Sequence, residues 1–272
     1  MTTRTLADLR RVAEELWPAR TAEEWDRIGL VSGRDDQPLR RALLAVDAVR
    51  STVDEALDWG ADALLTHHPL LLRGVHTVAE DTAKGALLAK LIRGDCALLT
   101  AHTNADAPED GVSAVLAAEL GLPASEPIVA GERPSLGIGR VGTLSAPLSL
   151  RELAERVAAV LPPTAGGVRV AGDPQQLVAR VALCGGAGDS LLGHPLVRAA
   201  DAYITSDLRH HPAQDSRELS LVVGGPALID VSHWASESLW LRAASDALAA
   251  RLPEVAFRVS SARTDPWTFA VG

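Results

Sequence analysis

Lysine is nearly missing from this chain: of 26 basic residues only Lys84 and Lys90 are lysines, and 35 acidic residues leave a formal net charge of −9. With a pI near 5.4, a broad face gripping phosphate backbones is excluded, since such binding depends on clustered Lys and Arg. The bias towards arginine carries no mechanism. Cysteine is scarce too. Cys96 and Cys184 each lie beside or inside a short apolar run, and two thiols in 272 residues make no disulfide framework, which fits a reducing cytoplasm. No run reaches the roughly 18 to 20 apolar residues of a membrane span, and residues 1–11 mix charge into an amphipathic pattern rather than forming a secretory leader. These absences describe a cytoplasmic protein with neither membrane nor nucleic acid as partner. What is present is a 47% apolar content, enough for one large core or two modest ones.

The order of elements points to an α/β fold. Thr5 with Asp8 signals a helix start, and Leu6, Leu9, Ala13, Leu16 and Trp17 share one face of a helix that ends before Pro18. A strand over 41–46 closes on Asp47, a helix over 51–59 is capped by Gly60, and the short apolar run Ala63–Leu65 leads into Thr66-His67-His68-Pro69. This is a β-α-β unit, so a parallel sheet is expected. A helix over 82–93 and a strand over 97–102 follow, the latter running into Thr103-Asn104-Ala105-Asp106, and Gly111 to Leu120 is helical. Residues 123–134 are rich in Pro, Gly and Glu, which places a domain boundary there. Beyond it come a strand over 137–144, a capped helix over 149–160, strands over 167–170 and 178–184, and a helix near 191–199. The strand 227–231 then precedes a helix from Ser232 to roughly Ala250.

One segment repeats. Ala200-Asp201-Ala202, Thr205 and His210-His211-Pro212 echo Ala61-Asp62-Ala63, Thr66 and His67-His68-Pro69, the mark of a duplicated strand-helix-strand unit. The expectation is two facing α/β lobes. Residues 1–130 with 225–272 form a metal-binding lobe, and residues 131–224 form the second.

Chemistry collects where strands end. Adjacent strand residues point to opposite faces, so His67 and His68 converge only if the chain turns at Pro69. Asp106 follows the next strand, and His233 with Glu237 stands four apart at a helix start, on one face. Imidazole and carboxylate donors together suit zinc, iron or manganese better than calcium. Five ligands exceed the needs of one tetrahedral ion, so two divalent ions sharing a carboxylate, with a water between them as nucleophile, are the natural inference. The Gly185–Ser190 loop, with Gly186 and Gly188, is either a substrate or phosphate cradle or a tight strand-to-helix turn. Asp47 either lines the cleft as a substrate-binding group or caps a helix. His211 is a candidate proton-transfer group beside Glu237, or part of a polar loop. Cys184 reads as a buried core thiol.

Trp25-Asp26-Arg27-Ile28-Gly29-Leu30, Thr66-His67-His68-Pro69, His102-Thr103-Asn104-Ala105-Asp106, Gly137-Ile138-Gly139-Arg140-Val141-Gly142, Cys184-Gly185-Gly186-Ala187-Gly188 and His233-Trp234-Ala235-Ser236-Glu237 occur in that order. Together they resemble the Nif-three-like family, whose bacterial members are labelled dinuclear metal centre hexameric proteins or GTP cyclohydrolase 1 type 2 homologues. The resemblance implies toroidal homo-hexamers and a two-metal site on His67, His68, Asp106, His233 and Glu237, with Glu237 as the bridge. It also implies a small-molecule substrate and GTP cyclohydrolase-like water attack. The chain departs from the family pattern at Ser232-His233-Trp234, where Gly-His-Tyr is usual, and at Pro108-Glu109-Asp110-Gly111, which replaces a more glycine-rich turn. The leading expectation is a metal-dependent hydrolase; its alternative is a non-catalytic metal-binding or metal-delivery ring that acts through partner proteins.

Overall fold

A computed structural model describes residues 4–271. In chain order the first elements are α1 (Leu6–Leu16), β1 (Gly29–Ser32), β2 (Arg41–Ala45), α2 (Arg50–Trp59), β3 (Ala63–Thr66), α3 (Ala83–Arg93), β4 (Ala97–Thr100) and the single turn α4 (Thr103–Asp106). Then come α5 (Val112–Glu119), β5 (Val129–Ala130), β6 (Gly137–Ile138), β7 (Arg140–Ser149), α6 (Leu150–Val160), β8 (Arg169–Ala171), β9 (Leu177–Ala187) and α7 (Pro195–Arg198). The chain finishes with β10 (Ala202–Ser206), α8 (His210–Val223), β11 (Ala227–Val231), α9 (His233–Ser238), α10 (Trp240–Arg251) and β12 (Ala256–Val259).

Two compact units result. One comprises the residues through Ala105 with Leu241–Thr264, and the other comprises Asp106–Trp240 with the residues from Asp265 on. In the first, β1-β4-β3-β2-β12 form a sheet in which only β1 runs antiparallel to its neighbour. Leu43, Leu64 and Leu98 from its three central strands pack against Val53 and Ala56 of α2 and Leu91 of α3. The second unit orders its strands β7-β9-β10-β11-β8, with β9, β10 and β11 parallel and both edge strands antiparallel. Its core sets Leu116 of α5 and Leu153 and Val157 of α6 against Val181, Leu183, Ile204 and Ile229.

These boundaries differ from those expected at 130 and 225, for two physical reasons. Helix α5 packs on β9 and β7, so the first crossing falls at Asp106. Strand β11 pairs residue for residue with β10, from Ala202 with Ala227 to Ser206 with Val231, which assigns His233 and Glu237 to the second unit.

The duplication runs deeper than the His-His-Pro echo. The Asp62 carboxylate accepts the backbone N–H groups of Arg40 and Arg41 at 2.7 and 2.9 Å, and Asp201 accepts those of Ala179 and Arg180 at 2.8 Å each. Gln37 donates its side-chain amide to the Asp62 carbonyl at 3.2 Å, and Gln176 does the same to Asp201 at 3.2 Å. Both units then return to these aspartates, with Ala97 N–H on the Asp62 carbonyl and Ala227 N–H on that of Asp201, each at 2.9 Å. Each unit thus holds β-strands in the same register by the same three-way clamp. The second His-His-Pro has a different setting, since β10 stops at Ser206 and His210 and His211 open the helix α8, which sequence periodicity did not reveal.

Other elements follow their local signals. Thr5 N–H bonds the Asp8 carboxylate at 3.0 Å, Thr82 accepts from Gly85 N–H, and Ser149 and Glu152 bond each other's backbone as a capping box. Gly60 closes α2 in the left-handed region at φ +69°. The strand expected over 137–144 breaks at Gly139, whose φ of +65° is incompatible with a continuous ladder. The helix expected over 191–199 shrinks to a 3₁₀ turn and α7, and the one expected from Ser232 breaks between α9 and α10.

Two outcomes test this account. Asp62→Ala and Asp201→Ala should each cost about 1–3 kcal/mol in urea unfolding, because each frees two N–H groups that a carboxylate accepted. Burial alone would raise the Glu55 pKa, but bonds from Ser260 Oγ, Ser261 N–H and Oγ, and Ala262 N–H outweigh it and hold the pKa below the usual carboxylate value. A carboxylate held low in the fold stabilises it above its unfolded pKa and loses that contribution as pH falls. Glu55→Gln should therefore be less stable than wild type at neutral pH, and the gap should close below about pH 4.

Candidate metal centre

In the first unit the carboxyl ends of β3 and β4 carry three imidazoles. The ladder between β2 and β3 persists one step past the strand, with His67 N–H on the Ala45 carbonyl at 3.1 Å and His68 N–H on that of Val46 at 2.8 Å. Thr66 Oγ1 then donates to the His68 carbonyl at 2.9 Å, which curls the chain so that consecutive side chains share one side. Register does the rest. Thr66 lies opposite Thr100, so His102 arrives at the same edge. The His67 ring centroid lies 5.1 Å from those of both His68 and His102, and one ligand atom from each of the three falls within 4.8 Å of the others.

Each ring is tied through Nδ1. His67 donates to the Ala101 carbonyl at 3.0 Å, His68 to Asp47 Oδ1 at 2.7 Å, and His102 to Asp26 Oδ1 at 2.8 Å. Since a carbonyl or carboxylate can only accept, a proton sits on each Nδ1, and Nε2 is the nitrogen that a metal would take. A ring whose far nitrogen is so anchored is oriented as metal-binding histidines are. Asp26 is itself buried. Burial would raise its pKa, but the hydrogen bonds from His102 and Thr103 outweigh it and hold the carboxyl well below the usual carboxylate range.

In the second unit His233 opens α9 behind the N-cap Ser232, and Glu237 follows one turn later. His233 Nε2 stands 3.0 Å from Glu237 Oε1. His233 Nδ1 donates to Asp207 at 2.7 Å, and Asp207 holds a left-handed φ of +57°, which is uncommon for a side-chain-bearing residue outside functional sites and turns. Glu237 is buried. Asp106 ends α4, and its charge, like that of Glu237, reaches Cys184. Burial first, then these two carboxylates, pushes the Cys184 thiol up to about 12, so it is the inert core thiol the sequence implied.

The remaining expected residues fall as follows. Asp47 sits on His68 and also accepts from Thr264 Oγ1, so its carboxylate orients an imidazole. Gly185 and Gly186 belong to β9 and donate their N–H groups to Ser113 and Ser236, while Gly188 accepts from the Tyr203 hydroxyl at 2.8 Å. His211 is exposed in the first turn of α8, against His210. His102, Asp26 and Asp207 were not singled out as site residues. His102 had the same signal as His67, a histidine just past a buried strand, whereas the aspartates lie far away in sequence from the rings they hold.

The donor set fits a divalent metal: imidazoles anchored through Nδ1 in one unit, and an imidazole with buried or partly buried carboxylates in the other. A duplicated α/β fold with such donors at its strand ends defines the class, an α/β protein whose His and Glu groups could hold metal ions. The chain belongs to the Duf34/NIF3 (NGG1p interacting factor 3) family, whose model matches residues 4–266. A Streptomyces coelicolor relative called GTP cyclohydrolase 1 type 2 homolog is 46% identical over 274 residues, covering 97% of this chain and 93% of that protein. A Mycobacterium tuberculosis protein of the same name is 35% identical over an alignment of 370 residues, covering 96% of each. Among solved structures, a Staphylococcus aureus hypothetical protein superposes with a TM-score of 0.89 at 25% identity, covering 99% of this chain and 100% of that one. A Bacillus cereus protein related to NIF3 reaches 0.90 at 23% identity, with the same coverage, and supports the fold alone.

Gly186 offers a direct check of the second unit's geometry. Its φ is +71°, and a Cβ there would lie 2.5 Å from Glu237 Oε1 and 3.2 Å from His233 Nε2. Gly186→Ala should cost about 1–2 kcal/mol in backbone strain alone. It should also lower the metal content of purified protein by displacing Glu237, read by elemental analysis beside a melting curve.

Proposed function

We propose that this protein is a metal-dependent hydrolase that holds two divalent ions, drawn from zinc, iron and manganese, on His67, His68, Asp106, His233 and Glu237. The observation that carries the reading is the set of anchored rings: His67, His68 and His233 each have Nδ1 bonded to an oxygen acceptor, which fixes the orientation of each imidazole. When bound, such ions lower the pKa of a water and polarise an electrophilic centre. The chain's own contribution is to fix the donors and the protons. Asp47 and Asp207 anchor their imidazoles through Nδ1, and Glu237, buried and 3.0 Å from His233, would be the carboxylate shared between the ions and would carry a proton. His211, exposed in α8, is the second proton-transfer candidate, with Gly186 and Gly188 as neighbours of substrate.

For the substrate, we read a nucleotide, with GTP first. The support is the name that the relatives carry, GTP cyclohydrolase 1 type 2 homolog. The proposed reaction is water attack on the purine C8, which opens the imidazole ring to a formamide, followed by attack of a second water that breaks the remaining C8–N bond and releases formate. The reading includes a cytoplasmic homo-hexamer; exposed Leu219, Leu221, Val222 and Val223 on α8 offer an apolar surface for assembly.

Tag-free protein loaded in turn with Zn²⁺, Mn²⁺ or Fe²⁺ should release formate from GTP, and His68→Ala should reduce the rate by at least about 100-fold. Formate release that persists in His68→Ala, or none with any of the three metals, removes the GTP assignment.

A further inference from the structure

We infer that the second unit carries a binding site for a small phosphate monoester with a flat apolar body, in the groove between the edge strand β8 and the first half of α8. The inference stands apart from the metal-dependent reading above and uses none of its ligands.

The groove encloses about 470 Å³, within the roughly 300–1,000 Å³ of small-molecule sites. Its walls follow from strand and helix periodicity. Ala171 lies opposite Leu228 and Arg169 opposite Asp230 in the ladder between β8 and β11, so these side chains, two apart on each strand, share one face of the sheet. That face meets α8, where Ala213 packs with Leu228. His210, Gln214 and Arg217 recur at i, i+4 and i+7 along α8 and form the opposite wall. The result is an apolar floor with polar groups at its rim.

Charge at the rim is one-sided. Asp230 accepts two bonds from Arg169 and a third from Leu208 N–H at 2.9 Å, so the acid in the lining is already engaged. Arg217 is the exception: half-buried, it makes no hydrogen bond or ion pair among the described residues. Asp215 and Glu218 stand near it in sequence, but residues one and two apart on a helix do not face each other. In a chain of net charge −9, where Arg4, Arg11 and Arg251 all reach carboxylates, this guanidinium is left over. A half-buried cation without a partner costs stability, and a bound anion removes that cost. His210 makes no hydrogen bond or ion pair through its ring among the described residues either. The start of α8 adds to the field, since its first turn has no capping side chain and no acidic residue.

The lining selects the ligand. A guanidinium fork takes two oxygens of a phosphate or a carboxylate at once. With a second arginine, an imidazole and a helix start around it, the more highly charged phosphate is favoured. The apolar floor calls for a ring, and Gln214 offers an amide to the ring's polar edge. The location agrees. Leu208 follows β10, and Asp230 is the penultimate residue of β11, so the groove lies at the carboxyl ends of parallel strands, where open α/β sheets bind ligands.

The test is isothermal titration calorimetry on the tag-free full-length protein as purified, with benzylphosphonate, which mimics phenyl phosphate and resists hydrolysis, beside inorganic phosphate and phenylacetate. Wild type should bind one benzylphosphonate per chain, at least about 10-fold more tightly than either of the others, because only it has both the ring and the dianion. Arg217→Ala should weaken this binding at least about 10-fold. Gln214→Glu, an isosteric change at an exposed position that adds a negative charge to the rim, should weaken it about 3-fold or more and keeps the test decisive if Arg217→Ala does not fold. Elemental analysis should find the metal content of both variants unchanged. Absence of saturable benzylphosphonate binding overturns the inference, as does equal or tighter binding of inorganic phosphate or phenylacetate. Wild-type affinity in the folded variants overturns it as well, and so does a loss of binding that tracks a loss of metal. Formate release from GTP is a separate readout, so the hydrolase and this site stand or fall independently.

Discussion

A histidine has two nitrogens, and the structure depends on taking one of them out of play. In four places an oxygen acceptor captures Nδ1, and the acceptors come from distant parts of the chain: Ala101, Asp47, Asp26 and Asp207. Each such bond removes a tautomer and a ring flip together, so the remaining nitrogen has one direction. The sheet supplies the position and the acceptor supplies the orientation. Strand pairing alone would deliver histidines to an edge without giving them a common purpose.

The two units reach that result from one scaffold. The aspartates at 62 and 201 clamp corresponding strands with the same bonds, so both units present strand ends at corresponding places. What fills those ends has diverged. The first unit puts imidazoles after its central strands, while the second puts glycine, Asp207 and a His-Glu helix there. A repeat that keeps its clamps and exchanges its strand-end residues separates what folds the chain from what equips it.

Much of this was legible in the sequence, and the parts that were not share a cause. Strands such as Ala63–Thr66 and Ala97–Thr100 announce themselves because both faces are buried and every residue is apolar or threonine. His67, His68, His233 and Glu237 stood out because residues close in sequence are close in space. Asp26 and Asp207 lie 76 and 26 residues from the rings they hold, and no periodicity encodes that distance. Helix α8 was missed because exposed Leu221, Val222 and Val223 blur its apolar stripe. Pro and Gly content at 123–134 marks a loop, whereas the crossing at Asp106 is set by what α5 packs against, which composition does not encode.

Strand β12 closes the first sheet by pairing Ala256–Val259 with Arg41–Leu44, although about 200 residues separate the two segments. On the ribosome, at roughly 5–20 residues per second, β2 waits some 10–40 seconds for this partner while the second unit's Asp106–Trp240 segment is synthesised. During that interval an apolar strand has one open flank. The timing makes the nascent chain, more than the finished protein, the species that a chaperone has to shield.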